Sequence, residues 1–193
     1  MQSNSYTSFD GRRRLASGPL QSVALAVKRL LEAGTDNPVL IFDDSSGRSI
    51  DIDTRGSDEE VLARLPAPAQ LADQQRGRGR PKLGVVAREV TLLPRHWDWL
   101  ATQPGGASVT LRKLVEEARR KHGDKDAGRA AQERAYHFMS AMAGDMPGFE
   151  EASRALFAND AEKFGQLIAG WPADVREHLA RLASIDSTES VEQ

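Results

Sequence analysis

The chain of 193 residues contains no cysteine, which excludes disulfide bridges, cysteine-ligated zinc fingers and thiol catalysis. It also lacks an apolar run long enough to span a bilayer, because the longest one, Val23 to Leu31, is interrupted by Lys28 and Arg29. The N-terminal segment has no apolar core of the kind that a signal peptide needs. We therefore expect a cytoplasmic protein that makes no membrane contact.

Sequence signatures of a catalytic centre are absent as well. The chain has no nucleophile elbow, no recognisable serine–base arrangement and no phosphate-binding loop. None of its histidines stands at a metal-ligand spacing, and His137 lies on an apolar helical pattern where a packing role is expected. The sequence therefore predicts no enzyme, no cofactor and no metal.

Charge is segregated along the chain, although the formal net charge is only −2. Between Asp43 and Glu60 there are seven acidic residues and two basic ones, whereas Arg76 to Arg88 holds five basic residues and no acidic one. Binding follows the local field more than the total charge. Nucleic acid therefore remains a candidate partner of the basic segment.

The acidic segment offers a weaker alternative, an enzyme that works through a bound metal. Asp51 and Asp53 share one face of a predicted strand, and hairpin pairing could bring Asp43 or Asp44 near them. Such a carboxylate pair could bind Mg²⁺, but the spacing of a calcium-binding EF-hand is missing. A solvated hairpin face is the favoured interpretation, and it could also mask the basic segment when DNA is absent.

Residues 5–65 show the pattern of a small α+β domain with the order β-β-α-β-β-α. Asp10-Gly11 predicts a tight hairpin turn, and an apolar helical stripe follows that ends at Gly34. The other predicted features are a strand at Val39–Asp44, a strand at Arg48–Asp53 that pairs with it, and a short helix capped by Ser57. This domain is the expected site for a protein partner or an effector.

The rest of the chain divides at two polar stretches, the second of which predicts a break at residues 121–129. The predicted fold class is α+β. Its parts are an N-terminal α+β domain (5–65), a basic Arg/Gly linker (66–82), a strand–helix–helix module (83–121), a C-terminal helical unit (129–184) and a disordered tail (185–193).

The strand–helix–helix module cannot close a core alone, since about forty residues bury too little apolar surface. Leu83–Leu93 alternates as a strand, and Pro94 begins a short helix in which Trp97 and Trp99 cannot share a face, so one is expected in the core. Ser108 is the predicted N-cap of a second helix. The apolar stripe of that helix consists of Leu111, Leu114, Val115 and Ala118.

This module, with its strand REVTLLP and its helix ASVTLRKLVEEARRK, resembles the ribbon-helix-helix DNA-binding proteins. The resemblance implies a homodimer whose two-stranded ribbon enters the major groove, and a second helix whose N-terminal amides hold phosphate. Thr91 would then read bases, although Glu89 on the same face opposes DNA, and Arg88 joins them only if the register shifts by one residue. The amides near Ser108, Val109 and Thr110 would hold the backbone. If the DNA contact is absent, the module is a dimerisation core.

The tract RGRGRPK resembles an AT-hook, in which a Gly-Arg-Pro core lies in the narrow minor groove of A·T-rich DNA. A solvated linker is the alternative, but the position directly before the module favours a DNA-binding arm. The residues of the tract expected to contact DNA are Arg76, Arg78, Gly79, Arg80, Pro81 and Lys82.

Over nearly its whole length the chain also resembles a bacterial family, number 2239 in the domain-of-unknown-function series, which implies no activity. The segments that carry the resemblance are YTSFDGRRRLASGP, VLIFDDSSGRSIDIDTRGS, RGRGRPKLGVVAREVTLLPRHWDWLATQPGGAS and GWPADVREHLARL.

Together these patterns predict a dimeric DNA-binding protein, either a transcriptional regulator or an architectural factor. The alternative is a protein–protein interaction module, antitoxin-like or an adaptor dimer, that does not bind DNA directly.

Overall fold

The structure, a computed structural model, describes residues 5–66 and 88–183. The chain forms two compact units. Unit 1 comprises the described residues 5–66 and 127–183, and unit 2 comprises the described residues 88–126 between them. The predicted α+β class is confirmed, with the strands in the N-terminal part and the following elements all helical.

A four-stranded antiparallel sheet in unit 1 has the order β2-β1-β3-β4. Two hairpins build it, and each is followed by a helix, as the β-β-α-β-β-α pattern predicted. The elements are β1 (Tyr6–Asp10), β2 (Arg13–Gly18), α1 (Leu20–Ala33), β3 (Val39–Asp43), β4 (Arg48–Ile50) and α2 (Asp58–Arg64).

The local signals explain where most of these elements begin and end. Gly11 takes a φ of 57° in the first hairpin turn, a conformation that glycine adopts without steric cost. The Ser57 side chain accepts a hydrogen bond from the amide of Glu60, and the Glu60 carboxylate accepts one from the amide of Ser57. This reciprocal capping box confirms the predicted start of α2.

One strand is shorter than predicted. The alternation of residues 48–53 predicted a single strand, but β4 ends at Ile50. Beyond it, the carboxylate of Asp53 accepts hydrogen bonds from the side chain and amide of Arg55. This local turn competes with the sheet for Asp53, so the paired register stops before it.

The remaining helices are α3 (Pro94–Ala101), α4 (Gly106–Ala143), α5 (Phe149–Phe157), α6 (Ala161–Leu167) and α7 (Ala173–Ala183). The predicted break at residues 121–129 is wrong, because α4 runs through it as one helix of 38 residues. A helix nucleus exists on each side of the polar stretch, and propagating a helix costs far less than nucleating one.

The N-terminal sheet and the C-terminal helices share one core, although the sequence pattern predicted them as separate parts. Phe9 and Phe42 on the sheet pack against Phe138 of α4, with ring centroids 5.4 Å and 4.8 Å from Phe138. The other face of the sheet packs against α1 through Val23, Val27 and Ile41. Unit 1 is therefore a sheet covered by helices on both faces.

Candidate nucleic-acid interface

Unit 2 is built from α3, a glycine turn and the first part of α4. Pro94 occupies the first turn of α3, where its missing amide hydrogen costs nothing. After Ala101 the chain reverses through Gly105 and Gly106, whose φ angles of 88° and 73° are unfavourable for other residues. The predicted helix–turn–helix arrangement is therefore present in a single chain.

The start of α4 corrects one prediction. Helix α4 begins at Gly106, two residues before Ser108, so Ser108 lies inside the first turn and is not the N-cap. Val109 follows in the same turn, and Thr110 comes next. In the bonding pattern of an α-helix, the amide of Thr110 pairs with the carbonyl of Gly106. The amides best placed to meet an anion are therefore those of residues 106–108, although Gly106 also donates to Gln103.

The segment before α3 presents the predicted reading residues to solvent. Arg88, Glu89 and Thr91 are all exposed. Within the described residues 88–93, the chain forms neither a helix nor a paired strand. The predicted strand Leu83–Leu93 was to pair with a second copy of the chain, so its ribbon stays a prediction.

Unit 2 leaves an unusual share of apolar surface uncovered. Of the nine large apolar side chains that are exposed in residues 5–66 and 88–183, six lie between Val90 and Val115. Only Leu100 of this region belongs to the buried apolar set. Trp97 and Trp99 are 42% and 50% exposed, so neither is buried in the single chain. The prediction that one of them lies in a core completed by a second copy stays a prediction.

Part of this surface forms a groove of about 260 Å³ between α3 and α4. Its walls are almost wholly apolar, with His96 at one side. The lining residues are Leu92, His96, Trp99, Leu100, Leu111 and Leu114. The apolar stripe predicted on the second helix thus faces an open groove rather than a closed core.

The Arg/Gly tract, Arg76 to Lys82, lies outside the described residues. Its proposed contacts with DNA stay predictions from the sequence. The described residues that follow it begin at Arg88, six positions after Lys82.

The acidic hairpin in unit 1 does not assemble the carboxylate cluster that a metal would need. Asp53 pairs with Arg55 and Arg64, and the Arg55 side chain holds the pKa of the Asp53 carboxyl far below its usual range. Asp43 accepts from the amide and hydroxyl of Ser45. Across the described part of the chain, no three histidine or acidic side chains converge as metal ligands.

Asp44 instead points into a polar cluster that the sequence did not reveal. Its carboxylate accepts from Thr7, and it faces the buried imidazole of His178 at 3.4 Å. Arg181 donates to the other ring nitrogen of His178 at 2.6 Å. The helical spacing of Val175, His178, Leu179 and Leu182 is the signal that could have placed His178 on an apolar face.

Comparison with known proteins places the chain in a bacterial family. The model of a protein family described as "uncharacterized protein conserved in bacteria (DUF2239)" matches residues 5–183. No curated protein and no solved structure matches the chain. Within the described residues, no helix is long and apolar enough to cross a membrane.

Proposed function

This chain belongs to the bacterial family DUF2239, and we propose that it binds DNA as a homodimer. Unit 2 forms the dimer, and the Arg/Gly tract before it supplies most of the affinity for phosphate. The role is that of a transcriptional regulator or an architectural factor. Unit 1 carries contacts with an effector or a protein partner.

The uncovered apolar surface of unit 2 is the observation that carries the proposal. A two-helix unit with one buried leucine cannot hold itself together by burial, since small units bury too little surface. Trp99 and Leu114 line a groove that a matching surface can fill. A second copy supplies that surface, because a twofold interface needs only one self-complementary patch.

Electrostatics supports a DNA contact through the basic tract. Each chain brings four cationic side chains between Arg76 and Lys82, so a dimer brings twice as many to one duplex. Arginines separated by glycine suit a narrow minor groove, whose negative potential is enhanced. Because Glu89 is exposed beside Thr91, base reading by the ribbon is the smaller contribution.

The salt dependence of binding to an A·T-rich duplex tests this function. If four to five of the eight cationic side chains in the dimer contact phosphate, log affinity should fall with log salt at a slope of about −4. The variant Arg78→Ala/Arg80→Ala should bind more weakly and with a shallower slope, by about one for each arginine that contacts phosphate. Fluorescence anisotropy over a salt series measures both quantities.

Arg119→Ala/Arg120→Ala is the matched control, because it removes two exposed arginines from α4 instead. It should retain wild-type affinity to within about twofold if the tract carries the binding. Equal, salt-insensitive retention of DNA by the wild type and the tract variant would refute the proposal.

A protein–protein interaction module is the second candidate, and the same apolar surface together with the exposed Glu89 favours it. In that case unit 2 pairs with a different protein, as an antitoxin-like or adaptor dimer does. Stoichiometric co-purification of a protein partner, with no DNA affinity at any salt concentration, would select this function over the first.

A further inference from the structure

The two faces of the sheet in unit 1 are filled to different degrees. On the face that meets α4 and α7, Phe9 and Phe42 are fully buried. On the face that meets α1, a small buried cluster is surrounded by apolar side chains that are only partly buried. These partly buried residues are Tyr6, Leu15, Ala16, Val39, Ile50 and Ile52. The layer between the sheet and α1 therefore leaves apolar surface open, although protein interiors are normally close-packed.

Two adjoining cavities lie in this layer, and we refer to them together as the β4 crevice. The larger has a volume of about 430 Å³, and its apolar walls include Tyr6, Leu20 and Leu65. The smaller has a volume of about 210 Å³ and extends to Val27 of α1. The two cavities share residues 50–52 as a common wall. The crevice thus has the size and the mainly apolar walls of a site for a small molecule.

The early end of β4 explains why the crevice exists. β4 is an edge strand of the sheet, and its last paired residue is Ile50, opposite Ile41. Residues 51–57 then leave the sheet before α2 begins at Asp58. Ile52 therefore lies beyond the paired register and packs only partly against the cluster under α1.

The polar part of the crevice wall carries an excess of negative charge. The larger cavity is lined by Asp43, Asp51 and Asp53 against one basic residue, Arg64. Arg64 donates to the carbonyls of Asp53 and Arg55, and its guanidinium lies 3.8 Å from the Asp53 carboxylate. Within the described residues, the Asp51 side chain has no such partner. Because Asp51 lines both cavities, the field at their junction favours a cation.

We propose that the β4 crevice binds an amphipathic amine, a small molecule with an apolar chain and one ammonium group. The chain packs against Ile50 and Ile52, where it covers apolar surface that the fold leaves open. The ammonium group pairs with the carboxylate of Asp51. This inference goes beyond the proposed binding of DNA and does not depend on it, because every residue that carries it lies in unit 1.

A comparison of three probes with the same chain length tests the site. At pH 7, n-octylamine carries a positive charge, n-octanol carries none and n-octanoate carries a negative charge. In titrations of the full-length protein followed by amide NMR shifts, n-octylamine should saturate shifts at residues 50–52 and at Tyr6. Amides of residues 135–142 should stay unchanged. Binding of n-octanol should be roughly twofold to fivefold weaker, because it lacks the ion pair at an exposed carboxylate. Binding of n-octanoate should be weaker still.

Asp51→Asn separates the ion pair from the apolar contacts. It should lower the affinity for n-octylamine to about that for n-octanol and leave the affinity for n-octanol unchanged. Asp36→Asn is the matched control, since it removes an exposed carboxylate of unit 1 that does not line either cavity. It should keep the wild-type affinity for n-octylamine. Absence of saturable n-octylamine binding would overturn the proposal, and so would equal binding of all three probes.

Discussion

His178 shows how a single buried side chain ties the sheet of unit 1 to α7. Its ring is fully buried and lies edge-on to Phe9 and Phe138, with centroids 5.5 Å and 4.5 Å away. Arg181 donates to Nδ1, so the neutral ring carries its hydrogen on Nε2, which faces Asp44. That contact is too poorly aligned to satisfy either atom. The site therefore favours the neutral imidazole.

The stability of unit 1 should fall on acidification because of this residue. Burial, and then the charges of Arg181 and Arg14, lower the pKa of His178 from 6.5 to about 3. At a pH between these two pKa values, His178 is protonated in the unfolded chain but not in the folded chain, so acid favours unfolding. The expected loss is about 1.4 kcal/mol per pH unit between pH 6 and pH 4. Urea unfolding across this range measures it.

The comparison of variants isolates the contribution of His178 from that of Asp44. Burial raises the pKa of the Asp44 carboxyl, so the folded chain binds a proton there more readily than the unfolded chain. Acidification therefore stabilises the fold through Asp44 and partly offsets the loss of stability that His178 causes. His178→Gln should be less stable than the wild type at pH 7 but should have a flatter pH dependence. His122→Gln, which changes an exposed histidine of α4, should keep the wild-type slope. Parallel slopes in all three proteins would contradict this account.

At the scale of elements, the sequence predicted best where a local interaction decides the structure. The turn at Gly11, the capping box at Ser57 and the start of α3 at Pro94 all depend on residues within one turn of each other. The end of β4 and the continuity of α4 were mispredicted, because each depends on which of two local structures is the more stable. The alternating pattern of residues 48–53 carries no information about the pairing of Asp53 with Arg55.

The same reasoning applies to the candidate site. Composition could place a basic tract before a strand–helix–helix module, and the structure confirms α3 and the turn at Gly105. It could not decide which of Trp97 and Trp99 faces a core, and both are exposed in the single chain. Helical spacing could place His178 on an apolar face, but not predict its surroundings, which combine residues of β1, α4 and α7 with Asp44.

The β3–β4 turn provides a test of how tightly α4 packs on the sheet. Gly47→Ala should destabilise unit 1 by clearly more than Gly34→Ala, although both glycines have positive φ. At Gly34 a Cβ meets nothing within 4 Å, so only backbone strain of roughly 1–3 kcal/mol is expected. At Gly47 the Cβ overlaps the carbonyl of Arg134 as well. Urea midpoints of the two variants make the comparison, and equal midpoints would show that the turn can move away from α4.

At the scale of the whole molecule, the proposed dimer makes a prediction about mass in solution. Leu114→Glu places a carboxylate in the apolar groove, where burial against a second copy would leave it without a partner. The variant should sediment as a monomer at concentrations where the wild type is a dimer. Lys113→Glu, which alters the neighbouring exposed position, should remain dimeric. A dimeric Leu114→Glu variant would place the interface elsewhere.

The shared core of unit 1 also determines the order in which a newly made chain can fold. The ribosome releases β1 and β3 first, then the basic tract and unit 2, and only afterwards the stretch of α4 that covers Phe9 and Phe42. Until residues 131–183 emerge, one face of the sheet has no helices against it. Unit 2 leaves the ribosome earlier. If the proposed dimer forms, unit 2 can meet its counterpart on a neighbouring nascent chain before either chain is complete.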